Sequence, residues 1–382
     1  MPTIAAKSKV LVTGANGFVA IWIVRTLLES GYSVRGTVRS FAKGTHLMKI
    51  FHNYGNKLEL VVVEDFTKEG AFDEAVKGVD AIEHTASPVH LEADDPQELI
   101  EPAVAGTVGV LESALKHGPS VKRIVVTVSC ATILQEAPTP QVFSELDWNE
   151  QAISAVRAQG KGAPQLWKYR ASKYLAEKAA WAFFDKNKGV VNWDLVTIHP
   201  PYVFGPPIHA MRSLSDLNTS TTEWYNTVLT PGPISANHDR LTAGNGWVDV
   251  RDLALAHVRA VERNAAAGER IIVCAGSFVW QDWRECSAFH SIELCVLNAL
   301  GAVNVANSLP EETRYKLTKP ADIPRGDPTQ DSSHPEVHHL ISYKTEKAKR
   351  ILGLGEGEGS TPYKSMIEVT QGMVEVFAER GW

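Results

Sequence analysis

Residues 9–20, Lys9-Val10-Leu11-Val12-Thr13-Gly14-Ala15-Asn16-Gly17-Phe18-Val19-Ala20, constrain this chain more than any other stretch. A short apolar run stops at Gly14. Gly17 follows three residues on, and Ala20 three after that. Ile21 to Leu28 then continues as a helical pattern. The stretch predicts strand, tight turn, helix. Such a turn presents backbone N–H groups and the positive end of a helix to a phosphate. Gly14 makes the turn, Gly17 lets a pyrophosphate approach, and Ala20 lets helix and strand pack closely. Asn16, Phe18 and Val19 complete the turn and join the glycines as candidate cofactor contacts.

Strands and helices alternate beyond it. Residues 32–39 alternate as a second strand after a helix stop at Gly31. Its end carries Arg39 and Ser40, with Lys43 soon after, where folds that prefer NAD place an acid for the ribose 2′-hydroxyl. An acid would repel a 2′-phosphate, whereas Arg39 can pair with one, so the strand end favours NADP(H). Residues 58–63 read as a third strand, followed by Asp65 and Phe66. Asp65 could accept from an adenine amino group or cap a helix over 71–77. Residues 80–85 form a fourth strand that carries His84, read as a core histidine. Ala86 and Ser87 then make a small-residue turn that backbone-to-cofactor contact requires.

A long helix is expected over 101–117. The near-continuous apolar run 121–128 fits a strand buried on both faces, hence a parallel sheet. Residues 138–162 read as a loop-rich insertion, 167–181 as a strong helix and 193–198 as a sixth strand. The prolines after His199 mark an exit from the sheet. Beyond about residue 200 the patterning weakens. Residues 213–222 read as an unpatterned polar cover, 251–258 as a helix, 270–274 as a strand and 362–378 as a final helix. The expected architecture is α/β, a Rossmann-type doubly wound parallel sheet. The expected division is a nucleotide-binding domain over 1–200, to which later segments return. The rest, 201–382, is mainly a smaller, discontinuous substrate lobe.

Composition closes off other classes. The net charge of -6, without any arginine-rich run, points away from nucleic acid. No window approaches ~18 uncharged apolar residues, so no membrane span is expected. Residues 1–8 are too short and polar for a signal peptide. The four cysteines show neither metal-ligand spacing nor a disulfide framework, which suits a reducing compartment, the cytoplasm.

Ser129, Tyr169 and Lys173 can form one reactive set. Hydride arriving at a carbonyl makes an alkoxide that needs a proton. A tyrosine can supply it, although its unperturbed pKa near ~10 is high. Lys173, four residues on and so on the same helix face, is expected to lower that pKa. Ser129, at a strand end, can hold the carbonyl oxygen.

With these residues in place the chain resembles the extended short-chain dehydrogenase/reductases. The resemblance rests on Thr13 to Ala20, Arg35 to Ser40, Val126 to Ser129 and the Tyr169-Arg170-Ala171-Ser172-Lys173 run. It is most similar to the branch of dihydroflavonol reductases and fungal NADPH-dependent carbonyl reductases. The resemblance implies NADPH, Tyr169 as proton donor, Ser129 orienting the carbonyl, and Lys173 on the nicotinamide ribose. It further implies Arg39 and Lys43 at the 2′-phosphate and Asp65 and Phe66 at the adenine. Thr85, Ala86 and Ser87, with Pro200 to Val203, would line the ribose and nicotinamide. Two departures stand out. Gln165 to Tyr169 lacks the Asn-Trp-Tyr signature of the plant cinnamoyl-CoA and dihydroflavonol enzymes, and residues 286–308 are longer than is usual.

The function expected is reduction of a small aldehyde or ketone by a monomer or homodimer. Two alternatives are a sugar-nucleotide epimerase or dehydratase that retains its cofactor, and a redox sensor that binds NADP without chemistry. Arg39 argues against the first, and the tyrosine and lysine pair against the second. Trp224, Tyr225 and Trp247 are candidates for a pocket wall, with core packing the expected role of each.

Overall fold

Strands that read as unbroken apolar runs need cover on both faces, and the computed structural model supplies it. The structure describes residues 4–5, 7–87, 93–230, 232–233, 237–284 and 339–382. Seven strands form one sheet: β1 (Lys9–Thr13), β2 (Ser33–Val38), β3 (Leu58–Val62), β4 (Ala81–His84), β5 (Arg123–Thr127), β7 (Asp194–His199) and β10 (Arg270–Ile272). Their order is β10-β7-β5-β4-β1-β2-β3, and every pairing is parallel. Side chains alternate between the faces, as the two-residue period of a strand requires. Leu11, Ile82, Ile124 and Leu195 pack with α3 (Gln97–His117) and α5 (Gln165–Asn187). Val10, Val12, Val125 and Val196 pack with α1 (Phe18–Glu29) and α8 (Val250–Glu262). The strand order reverses between β1 and β4. A crevice opens there at the carboxyl ends of the strands, where ligands bind in such sheets.

One buried ion pair fixes the far half of the sheet. Arg123 on β5 meets Asp194 on β7 through two bonds, 2.6 and 3.0 Å. Its remaining nitrogen reaches the last carbonyls of α8, Ala260 at 2.7 Å and Arg263 at 2.6 Å. Both side chains are almost wholly buried, so the pair satisfies charge and geometry together.

After β7 the chain leaves this sheet, as its prolines require. β8 (Tyr202–Phe204) runs parallel to β9 (Gly244–Asp249), and β11 (Gly276–Val279) pairs antiparallel with β9. Aromatic rings fill the space beside this small sheet. Trp283 lies edge-on to Phe204 at 5.1 Å and to Trp247 at 5.2 Å. Trp224 and Phe377 close the cluster. Trp224 and Trp247 are therefore core residues, and partly buried Tyr225 packs against the same cluster.

Four expectations change. Residues 71–77 form turns rather than a helix, bounded by Gly70 and Gly78 in left-handed conformation, with Val76 N–H to Phe72 O at 3.0 Å as a helix-type bond. The insertion 138–162 holds β6 (Gln141–Phe143) and α4 (Glu150–Gln159). β6 is legible only through its partner, β12 (Ile341–Tyr343), about two hundred residues away. The polar cover is structured too. Ser213 caps the turn 214–216, and α6 (Thr219–Trp224) follows directly. Hydrogen-bonding caps, not apolar periodicity, shape it. The final helix begins at Met366, where Ser365 and Glu368 form a capping box, and is the eleventh helix of the described residues, α11 (Met366–Arg380). The long segment 286–308 lies outside the described residues.

Asp194→Ala leaves Arg123 buried without a counter-charge. We expect a loss of about 3–5 kcal/mol, read by denaturant unfolding. A loss below ~1 kcal/mol would show that the pair does not hold the sheet.

Candidate active site

The glycine turn between β1 and α1 forms one end of the crevice. Gly14 sits at φ +63°, and its N–H donates to Thr37 Oγ1 at 3.0 Å. A Cβ there would stand 3.3 Å from Ala86, so a side chain would close the cradle. α1 starts after Gly17 with no side-chain cap and no acid in its first turn. Its first N–H groups lack helical partners, which suits an anion. The Thr13 hydroxyl draws β4 against the turn, accepting from the N–H groups of Thr85 and Ala86, each at 3.0 Å.

The crevice itself is a cavity of about 760 Å³. Gly14, Asn16, Gly17, Phe18 and Val19 line it at the turn. Arg39 and Lys43 line it at the end of β2, and both are exposed. Among the described residues Arg39 has no carboxylate partner. Phe66 lines it as well, its ring lying where a Cβ on Gly106 would stand, within 2.4 Å. Thr85, Ala86 and Ser87 follow on one side, Pro200 and Val203 on the other. Asp65 is the one predicted residue outside the lining. Its Oδ1 accepts from the Thr67 N–H at 3.0 Å and the Thr67 hydroxyl at 2.6 Å, so it caps a turn.

Ser129, Tyr169 and Lys173 face the same cavity. Ser129 stands just past β5, and its Oγ accepts from Ala131 N–H at 3.1 Å. It also reaches Pro200 O at 3.5 Å. Tyr169 and Lys173 share one face of α5. The expected acidification of Tyr169 by Lys173 is not what the geometry gives. The ammonium lies 5.7 Å from the centre of the Tyr169 ring and donates to Ser87 Oγ at 2.6 Å instead. Burial pushes the phenol above its usual pKa, and the Ser129 hydroxyl offsets only part of this. Burial also brings Lys173 down from 10.5 to about 8.

Tyr202, within the predicted run Pro200 to Val203, lines the cavity as well, but sequence reasoning missed the rest of this wall. Asn218, Glu223, Asn245 and Tyr343 line the cavity beyond Ser129. The Tyr343 hydroxyl donates to Asn245 Oδ1 at 3.0 Å, and Arg240 pairs with Glu223 at 2.8 Å. None of them lies in a periodic run, so no local pattern could have singled them out. On α5 itself, Glu177 accepts from His199 at 2.8 Å and from Arg270 at 2.7 Å. Burial alone would raise its carboxyl, but these two partners hold it far below the usual range.

Comparisons with known proteins bear on the family and the fold. The model of the NAD dependent epimerase/dehydratase family matches residues 10–275. The ketoreductase azaE of Aspergillus niger is 39% identical over 313 residues, 79% of this chain and 88% of its own length. The NADPH-dependent methylglyoxal reductase GRE2 of Saccharomyces cerevisiae is 36% identical over 354 residues, 90% of this chain and 92% of its own. The crystal structure of the yeast methylglyoxal/isovaleraldehyde reductase Gre2 complexed with NADPH superimposes with a TM-score of 0.76. It is 28% identical and covers 98% of this chain and 99% of that one.

Selective lysine NMR on the protein without added nucleotide should show Lys173 titrating near pH 8. Ser87→Ala removes the acceptor of the ammonium and should lower that midpoint further. A midpoint above 10 in the unaltered protein would contradict the burial argument.

Proposed function

Because the chain belongs to the NAD dependent epimerase/dehydratase family, we propose that it reduces the carbonyl of small aldehydes or ketones to alcohols with NADPH. The observation that carries this reading is the meeting of Ser129, Tyr169 and Lys173 in one cavity with the glycine turn and Arg39. The names of its relatives, a ketoreductase and NADPH-dependent methylglyoxal reductases, support it.

The residues present fit that cofactor. The cradle at Gly14 and Gly17, which side chains would fill, admits a pyrophosphate. The uncapped start of α1 supplies N–H donors. Arg39, with no carboxylate partner among the described residues, and Lys43 beside it suit a 2′-phosphate rather than a bare hydroxyl. When bound, the reduced nicotinamide supplies the hydride.

The chain's own residues supply the rest. Ser129 Oγ accepts from Ala131 N–H, and its proton, spent only on a long 3.5 Å bond to Pro200 O, can turn to a substrate carbonyl oxygen and hold it. Tyr169 gives up a proton as charge develops on that oxygen. Its raised pKa suits this role, since an acid must carry its proton at working pH. Once the proton has left, a tyrosinate stands beside the Lys173 ammonium, and opposite charges at that separation in a poorly solvated site attract. The lysine thus acts on the product of the proton transfer rather than on the resting phenol. Residues beyond about 200 that do not return to the main sheet form the substrate side. An epimerase or dehydratase of the same family would share the tyrosine and lysine. Arg39, where an acid would suit NAD, favours the reductase.

NADPH oxidation measured against aldehydes, α- and β-ketoesters and aryl ketones tests the reading; no turnover with any of them would sink it. Tyr169→Phe should lower kcat by about 10²–10⁴-fold with NADPH affinity changed less than about twofold. Retained turnover would remove Tyr169 from the chemistry. Arg39→Asp should shift the ratio of kcat/KM toward NADH, and an unchanged ratio would count against the phosphate contact. Activity should fall above about pH 8 as Lys173 loses its proton, and Lys173→Arg should move that limb upward.

A further inference from the structure

A second, smaller space adjoins the cavity at Lys173, which lines both. It amounts to about 20 Å³. His84, Thr107, Thr127, Lys173 and Glu177 are among its lining residues. One water molecule needs roughly 10–15 Å³ measured this way and two to four polar partners. The space is the right size for one water, and its walls mix these polar side chains with alanine and valine.

The protonation of His84 follows from its neighbours. Thr13 Oγ accepts from two backbone N–H groups, those of Thr85 and Ala86. Both its lone pairs are used, so its own hydrogen goes to His84 Nδ1, 3.0 Å away. His84 Nδ1 is therefore the acceptor, and Nε2 carries the hydrogen. His84 is 2% exposed. Its Nε2 is buried with no partner among the described residues. Burial keeps the ring neutral, with its pKa brought down to about 3. A buried N–H without an acceptor is rare and calls for one, often an ordered water. The core histidine of the sequence reading is thus only half satisfied by protein.

We propose that this space is a water site and that His84 is a positioning residue, its Nε2–H and Lys173 Nζ donating to one buried water that holds the ammonium. The Ser87 hydroxyl also takes the ammonium. Two acceptors then fix the direction of Lys173 across the Tyr169 ring. Thr107, Thr127 and Glu177 also line the space, and their side-chain oxygens are the candidate acceptors for the hydrogens of the water. The groups that face it are thus His84 from β4, Thr107 from α3, Thr127 from β5 and Lys173 and Glu177 from α5. Glu177 stays ionised through His199 and Arg270, so Lys173 is the group among them that titrates near neutral pH.

A crystal structure that resolves ordered water tests the site directly. It should show one water within ~3.2 Å of both His84 Nε2 and Lys173 Nζ. A dry space, or either nitrogen bonded to another protein atom, would overturn the proposal. Two variants test the positioning role without nucleotide. His84→Phe keeps a ring but has no donor, and the titration midpoint of Lys173 by NMR should drop by about half to one pH unit. His84→Gln restores an N–H at about the position of Nε2 and should bring the midpoint back. An unchanged midpoint in the Phe variant, or a drop that the Gln variant does not recover, would leave His84 with a packing role only. A kinetic arm rests on the reductase reading: His84→Phe should lower kcat about 2–6-fold at pH 8 and little at pH 6. An equal loss at both would be the structural outcome. The NMR and crystallographic results stand whether or not the reductase reading does.

Discussion

The site depends on one hydroxyl, that of Thr13. It accepts from Thr85 and Ala86, and it donates to His84. The Thr13 carbonyl also accepts from the Thr85 hydroxyl. Parallel pairing of β1 and β4 ends at Thr13 and His84, where ladder bonds run out and two loops must begin. The threonine carries the pairing one step further with its side chain. Ala86 is thereby held so close to Gly14 that a Cβ there would stand 3.3 Å from it, and Ser87 is brought to Lys173. Cradle and ammonium thus share one anchor, and neither loop can shift without the other.

Buried charge around this anchor is compensated in layers. Among the described residues Lys173 has no carboxylate on it and donates to the Ser87 hydroxyl, and its charge is correspondingly less stable than that of a surface lysine. Glu177, one turn along the same helix face, is the opposite case. His199 and Arg270 both reach it, and its carboxyl stays ionised in spite of full burial. Arg270, one of the two, also stacks on Trp148 at 3.7 Å. The pair His257 and Glu83, 2.7 Å apart, makes a third buried contact, and His257 reaches Thr127 at 3.2 Å. Polar groups in this interior thus sit under the carboxyl edge of the sheet, where they orient side chains that face the cavity.

Much of the fold was legible because buried parallel strands cannot hide. Runs such as Ile124 to Val128, with Thr127 as their one polar residue, have no alternation for a wet face, and glycine and proline boundaries elsewhere in the chain are sharp. The reactive residues were legible for a different reason. A tyrosine and a lysine one helical turn apart, after a strand-end serine, make a joint pattern that single residues do not. What stayed hidden was whatever depends on distant partners. Tyr343 reaches Asn245 from about a hundred residues away, and β6 pairs with β12 across twice that distance. The role expected of Asp65 gave way to a local turn bond, since a carboxylate two residues before a threonine can close its own ring. The lysine effect on the phenol was misread because sequence spacing shows a shared face but not which atom the ammonium touches.

The path of the chain through its two sheets has a mechanical consequence. It leaves the large sheet after β7, forms β8 and β9, re-enters through α8 and β10, then departs again into β11. The two halves are stitched together by repeated crossings, with a hard mosaic of indole and phenyl rings on the outer side. Such a wall resists hinge opening and offers little room for gradual remodelling. Segment 213–223 is different, since it borders the cavity and is held mainly by its own short caps. Among relatives of this chain, changes in the molecules accepted should accumulate there, in a replaceable sleeve on a rigid frame.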